Sequence, residues 1–282
     1  MKINWFPGHM KKNLDMMRKE VENIDAIIYM LDARAPISCI NPSFVSIIKN
    51  KPIIFVVNKV DLVDKERLSF FVQKLNKSYS AQVILLNATE TQAKKKIVEA
   101  IEKALEERLS YYKQKGAKLT IKAMIIGVPN CGKSTLANTL AGKVKATTGD
   151  RAGVTLAKQW IKVSPYIEVL DTPGTLWPSL KNISVAENLA FIGSIKSEVL
   201  DDEQLCFMLI NRLMTIDKSG LEKRYGIAIG ESDEALDVIT KIAQSKGLKV
   251  KGGETDYIRS YALILNDYKK GKITNKILDE IK

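Results

Sequence analysis

The chain has 282 residues, 44 Lys and Arg against 32 Asp and Glu, and one His, for a formal net charge of +12. A hydrophobic fraction of 45% excludes wholesale disorder, and three scattered cysteines, Cys39, Cys131 and Cys206, exclude a disulfide-framed mini-protein. No stretch reaches the roughly 18 uninterrupted apolar residues of a membrane span and the N-terminus lacks a signal-peptide core, so a cytoplasmic protein is expected, with a charge excess that favours a polyanionic partner.

Apolar runs at 24–31, 52–57 and 82–86 have strand length and end at Asp32, Asn58 and Asn87. Helix-length stretches separate them, which predicts a parallel sheet covered on both faces. One long helix is expected over 91–113, with Ile97, Ala100, Ile101, Ala104 and Leu105 on its apolar face. Gly116 breaks it, and a strand over 119–126 leads through a glycine loop into a helix from about Lys133. Two further strands are expected at 158–163 and 166–170. Beyond about Val185, apolar residues recur at helical spacing in 199–216, 233–248 and 256–268. The chain therefore divides into an α/β unit, 1–178, and an all-helical unit, 179–282.

The segment G-V-P-N-C-G-K-S at 127–134 has the Walker A spacing and lies between a predicted strand and a predicted helix. Gly127 and Gly132 allow backbone N–H groups to turn inward around phosphate oxygens. The helix presents its positive end to the same anion. Asn130, Cys131, Gly132, Lys133, Ser134 and Thr135 are the expected phosphate contacts, with Lys133 reaching the β- and γ-phosphates and Ser134 ligating Mg²⁺. Asn130 suits two readings equally, a ligand to a monovalent cation such as K⁺ or a residue fitted to the loop's conformation. D-T-P-G at 171–174 ends the second following strand. There Asp171 is placed to hold the Mg²⁺ shell and Gly174 to offer an N–H to the γ-phosphate.

N-K-V-D at 58–61 follows another strand. The Asp61 carboxylate can accept the N1–H and amine of guanine, groups that adenine lacks at that edge. Lys59 can pack over the base, and Asn58 can bond the guanine edge or tie the loop to its neighbour. Asn87 and Ala88, in N-A-T-E at 87–90, stand where a second base loop is expected but are a poor version of it. This base motif precedes the phosphate loop by about 70 residues. In an ordinary GTPase it comes last, so the order reads as a circular permutation, tolerated where chain ends lie close together.

With W-F-P-G-H-M at 5–10, L-D-A-R-A-P at 31–36, G-V-P-N-C-G-K-S-T at 127–135 and G-V-T at 153–155, the chain resembles the circularly permuted GTPases of the ribosome biogenesis GTPase A, or YlqF, family along essentially its whole length. The resemblance implies a P-loop GTPase fold followed by helices, with GTP or GDP and Mg²⁺ as ligands. It implies a factor that assists late assembly of the large ribosomal subunit, binds ribosomal RNA and leaves after hydrolysis; a monomer is expected. It also implies that His9 takes part in hydrolysis, in place of the water-positioning Gln that ordinary GTPases carry after D-T-P-G and that is Thr175 here. Thr155 is the expected switch threonine on Mg²⁺ and the γ-phosphate, with Thr147 and Thr148 as neighbours in the same loop. Departures from the family pattern are Thr175 itself, Ala152 in place of Pro, and the N-A-T-E loop.

Two basic groups offer RNA faces. Lys249, Lys251, Arg259, Lys269, Lys270 and Lys272 alternate with Tyr257 and Tyr261, and Lys2, Lys11, Lys12, Arg18 and Lys19 surround His9 in an N-terminal arm. A solvated helical bundle and a mobile arm are the plain readings of the same residues. Two other functions compete: an RNA-binding scaffold gated by nucleotide, in which hydrolysis is incidental, and an ATP-dependent P-loop enzyme, which Asn58, Lys59 and Asp61 disfavour.

Overall fold

The computed structural model describes residues 8–48, 50–117, 119–142, 158–178, 180–195 and 200–280. Its centre is a six-stranded sheet formed by β1 (Ala26–Asp32), β2 (Ile53–Asn58), β3 (Gln82–Leu85), β4 (Ile121–Gly127), β5 (Gln159–Lys162) and β6 (Ile167–Asp171). The spatial order is β3-β2-β1-β4-β6-β5, and every pair is parallel except β5 with β6. Ile, Ala, Met, Leu and Tyr fill β1 and β4 because helices cover both faces, and every residue of β1 is buried.

The order reverses at β1. The chain winds outward from β1 through β2 to β3, then returns to lay β4 against the other side of β1. Such a switch point leaves a crevice at the carboxyl ends of the strands, the usual ligand position in this architecture. Register brings Asp32 opposite Asn58, Met30 opposite Gly127 and Ile125 opposite Asp171. The residues that end the predicted strands thus share one edge.

Helices flank the sheet: α1 (Gly8–Glu20), α2 (Pro42–Ile47), α3 (Lys65–Tyr79), α4 (Ala93–Ala104), α5 (Glu106–Gln114) and α6 (Lys133–Ala141). The long helix expected over 91–113 is two. Leu105 breaks it with φ −121° and ψ 22°, and no residue of α5 is buried, so packing does not hold the two in one line. The basic arm expected at the N-terminus is, from Gly8 on, a helix whose Met10, Leu14 and Met17 are buried in the core.

The C-terminal region is helical: α7 (Ile183–Phe191), α8 (Asp202–Tyr225), α9 (Ala235–Ser245) and α10 (Tyr257–Lys269). The expected helix 199–216 continues past a kink at Asp217, whose φ is −160°. The Asp217 carboxylate accepts the Gly220 N–H at 3.2 Å and so restarts the helix as a cap would. After α10 the chain returns as a strap over the sheet's carboxyl edge. Asn275 O accepts the Asp64 N–H at 2.9 Å and Arg34 O accepts the Leu278 N–H at 2.8 Å. The buried Asp279 carboxylate accepts the N–H groups of Ile37 and Ser38 at 2.6 and 3.1 Å. No helix among the described residues is long and apolar enough to cross a membrane.

Candidate functional site

The phosphate loop runs from β4 directly into α6. Gly127 has φ 154° and Gly132 φ 104°, and an ideal Cβ at Gly132 would lie 2.0 Å from Asn58 Nδ2. Lys133 is buried, and its ammonium donates to Val128 O at 2.7 Å inside the loop. D-T-P-G closes on the same place, for a Cβ at Gly174 would meet Pro129 Cα at 2.7 Å and Lys133 Nζ at 2.9 Å. The loop, its lysine and Gly174 form one cradle with room only for glycine at its closest approaches.

Asn130 holds a left-handed φ of 59°, which is what the conformational reading of that residue requires, and its Nδ2 donates to Gly193 O at 2.6 Å. Ser194 Oγ donates to Pro129 O at 2.8 Å. The phosphate loop therefore touches the segment that follows α7.

Asp171 lies at the end of β6, fully buried, and neither carboxylate oxygen has a well-formed hydrogen bond. Burial pushes this carboxyl up to about 6, against the pull of the Lys133 ammonium, the Thr172 N–H and the Ser134 hydroxyl. A buried carboxylate short of partners beside a serine hydroxyl is the donor set that a hard cation such as Mg²⁺ takes. The residues present fit that ion.

Across the crevice, Asn58 ties two loops together. Its Nδ2 donates to Cys131 O at 2.9 Å and its Oδ1 accepts the Ala88 N–H at 2.8 Å. Ala88 O in turn accepts from Thr139 Oγ1 of α6 at 2.6 Å. The weak second base loop is thus fixed by its backbone, which needs no particular side chain at position 88. Lys59, at φ 62°, runs its stem along the crevice, and its Nζ donates to Asn130 O and Asp32 Oδ2, both at 2.8 Å.

Asn87 Nδ2 donates to Asp61 Oδ1 at 2.8 Å while Asn87 Oδ1 accepts from Thr89. The amide so holds the Asp61 carboxylate in place. Asn87→Ala should raise the GDP dissociation constant about three- to tenfold, the worth of one such bond. Titration with fluorescent GDP tests this, and unchanged affinity would mean that Asp61 is held without Asn87.

Thr175 is fully buried, its Oγ1 donating to Pro173 O at 3.2 Å and its carbonyl accepting from Asn41 Nδ2 at 3.1 Å. The position after D-T-P-G is turned into the core. His9 lies in the first turn of α1. Thr135 lies in α6. Thr155, with Thr147, Thr148 and the G-V-T segment, lies outside the described residues.

The sequence reading missed Asp32 and Arg34 as a buried pair, although L-D-A-R-A-P marked them. Of the tyrosines on the C-terminal basic face, Tyr261 is buried and is no open stacking group, while Tyr257 is half-buried and stacks on it with ring centroids 6.2 Å apart. Side chains open to solvent there include Lys249, Lys251, Arg259, Lys270 and Lys272, with Val250 and Ile258, the last 81% exposed.

A family model described as "50S ribosome-binding GTPase" matches residues 122–245, and one described as "Ethanolamine utilisation - propanediol utilisation" matches residues 7–103. Ribosome biogenesis GTPase A of Priestia megaterium is 37% identical over 99% of this chain and 97% of its own length. That of Bacillus cereus is 36% identical over 97% and 92%. The chain belongs to the ribosome biogenesis GTPase A family. Mitochondrial ribosome-associated GTPase 1 of Bos taurus is 30% identical over 88% of this chain and 75% of its own. The crystal structure of GNP-bound YlqF from T. maritima shares the fold, with a TM-score of 0.62 and 22% identity over 96% of this chain and all of that one. The protein is a GTPase with its base motif ahead of its phosphate loop, the permuted order that the sequence implies.

Proposed function

We propose that this GTPase acts on the large ribosomal subunit during its assembly, binds ribosomal RNA, and is released when GTP is hydrolysed. The observation that supports this most is the physical continuity from nucleotide site to C-terminal helices, through Asn130 to Gly193 and Pro129 to Ser194. In this reading residues 1–178 form the GTPase unit, and 179–282 with the exposed Lys249, Lys251 and Arg259 face RNA phosphates in the cytoplasm.

Asn130, Cys131, Gly132, Lys133, Ser134, Thr135 and Gly174 cradle the phosphates. Asp61 reads guanine, held by Asn87, while Lys59 covers the base and Asn58 and Ala88 join the two loops. Ser134 and Asp171, with Thr155, hold Mg²⁺, which would neutralise charge on the β- and γ-phosphate oxygens. His9 orients the attacking water. The rest of the site fits that role, because Thr175 is buried and no glutamine follows D-T-P-G. A neutral imidazole can accept a hydrogen bond from water at physiological pH.

The test is GTP turnover with and without large-subunit particles, in K⁺ and in Na⁺, for wild type and His9→Ala. Particles should stimulate the wild type at least about a hundredfold, on the scale of activated GTPases. His9→Ala should bind GTP normally and lose most of that stimulation. Turnover indifferent to particles would favour the scaffold reading, and full stimulation of His9→Ala would remove the histidine from the mechanism.

A further inference from the structure

The L-D-A-R-A-P segment, which begins in the last two residues of β1, holds the most buried ion pair among the described residues. Asp32, fully buried at the end of β1, accepts Arg34 Nε at 2.9 Å and Nη2 at 2.7 Å, and Lys59 Nζ at 2.8 Å. Burial alone would raise this carboxyl, but Arg34 first and Lys59 second hold it well below the usual carboxylate range. Arg34 is committed in its turn. Its Nη1 donates to Lys269 O at the end of α10 at 3.0 Å, and its Nη2 reaches Ile192 O, just past α7, at 3.5 Å.

We propose that Asp32 is a positioning residue of the guanine site, holding Lys59 along the base and tying it through Arg34 to the C-terminal helices. This rests on the reading of 58–61 as the guanine site. The lysine stem is flexible and keeps one rotamer only when its ammonium is held. Of its two acceptors, the Asn130 carbonyl is neutral, whereas Asp32 is charged and buried, and charge-assisted bonds are the stronger. One carboxylate serves both cations, so movement of either changes its hold on the other. Coupling of this kind is reciprocal. A base packed on Lys59 stabilises the seat of α7 and α10, and displacement of that seat weakens the hold on the base.

The test is a cycle of GDP dissociation constants for wild type, Lys59→Met, the double variant Asp32→Asn with Arg34→Met, and all three changes together. The double variant removes both buried charges and strands neither. Lys59→Met and the double variant should each weaken GDP binding about tenfold or more, the scale of a bond to a charged group. The triple variant should be no weaker than Lys59→Met alone, because the Asp32 effect acts through the lysine. If Lys59→Met leaves affinity unchanged, the guanine reading fails and this proposal with it. If Lys59→Met weakens binding and the remaining effects multiply, the guanine reading stands and this proposal fails.

A second measurement needs no variant. In the wild-type chain, GDP should slow amide exchange across 271–280, the strap whose Leu278 N–H bonds Arg34 O, by severalfold or more. Exchange there that ignores GDP would overturn the link to the C-terminal helices.

Discussion

In Gly132→Ala, GDP affinity is expected to fall at least about a hundredfold and the fold to lose on the order of 3–5 kcal/mol. Two independent costs combine. Gly132 has φ 104°, a backbone region that L side chains rarely adopt, and forcing one into it costs about 1–3 kcal/mol. The added methyl would also fall 2.0 Å from Asn58 Nδ2. Asn58 cannot turn aside cheaply, because it is buried and holds Cys131 O on one side and the Ala88 N–H on the other. Breaking either bond strands a buried polar group, at about 1–3 kcal/mol each. The same shift would part the phosphate loop from the base loop, which explains a binding loss larger than the stability loss. Gly142→Ala isolates the first cost. It too has a left-handed φ, 66°, but no atom lies within 4 Å of its ideal Cβ. That variant should melt slightly lower and bind GDP as the wild type does. Equal behaviour of the two variants in thermal melting and fluorescent GDP titration would refute the argument.

The sequence was most legible where chemistry is local. The phosphate loop, D-T-P-G and N-K-V-D each follow a strand because backbone N–H groups and strand-end carboxylates work only from there. The three runs at 24–31, 52–57 and 82–86 are recovered as β1, β2 and β3 to within two residues at either end. The expected helix 199–216 stopped one residue short of the Asp217 kink, and that was a fair reading of where the helical period breaks. Less legible were contacts made at long range by side chains that look like surface charge. Arg34 reads as a solvated basic residue until α10 supplies Lys269 O, 235 positions away. Asp279 reads as a polar tail until it caps Ile37 and Ser38. Tyr261 looked like a stacking platform because spacing does not tell the outer face of a helix from the inner, and burial decides it. For the same reason the N-terminal lysines read as an arm, although Met10, Leu14 and Met17 give α1 an apolar face that packs.

Asp171 gives the other large effect, and its sign depends on pH and on the cation. In the protein without nucleotide, burial carries this carboxyl from its ordinary 3.8 up to about 6. The folded chain then binds the proton more tightly than the unfolded chain does. The associated stability is full below about pH 4 and is lost as pH rises through about 6, leaving a cost on the order of 3 kcal/mol at neutral pH. Asp171→Asn carries no such charge. Without nucleotide it should match the wild type near pH 3.5 and exceed it increasingly toward pH 7.5, by about 3 kcal/mol in denaturant melts. With GDP and Mg²⁺ present the order should reverse. The carboxylate would then ligate the cation directly, and an amide oxygen is a poor substitute for a carboxylate toward a hard ion. The Mg²⁺ concentration needed for half-maximal GDP binding should rise at least about tenfold in the variant. It should also rise in the wild type as pH falls below about 6, where the proton competes for the same oxygens. A variant less stable than the wild type at pH 7.5 without nucleotide would show that Lys133 and Ser134 fully compensate the buried charge, and that Asp171 serves the fold before it serves the cation.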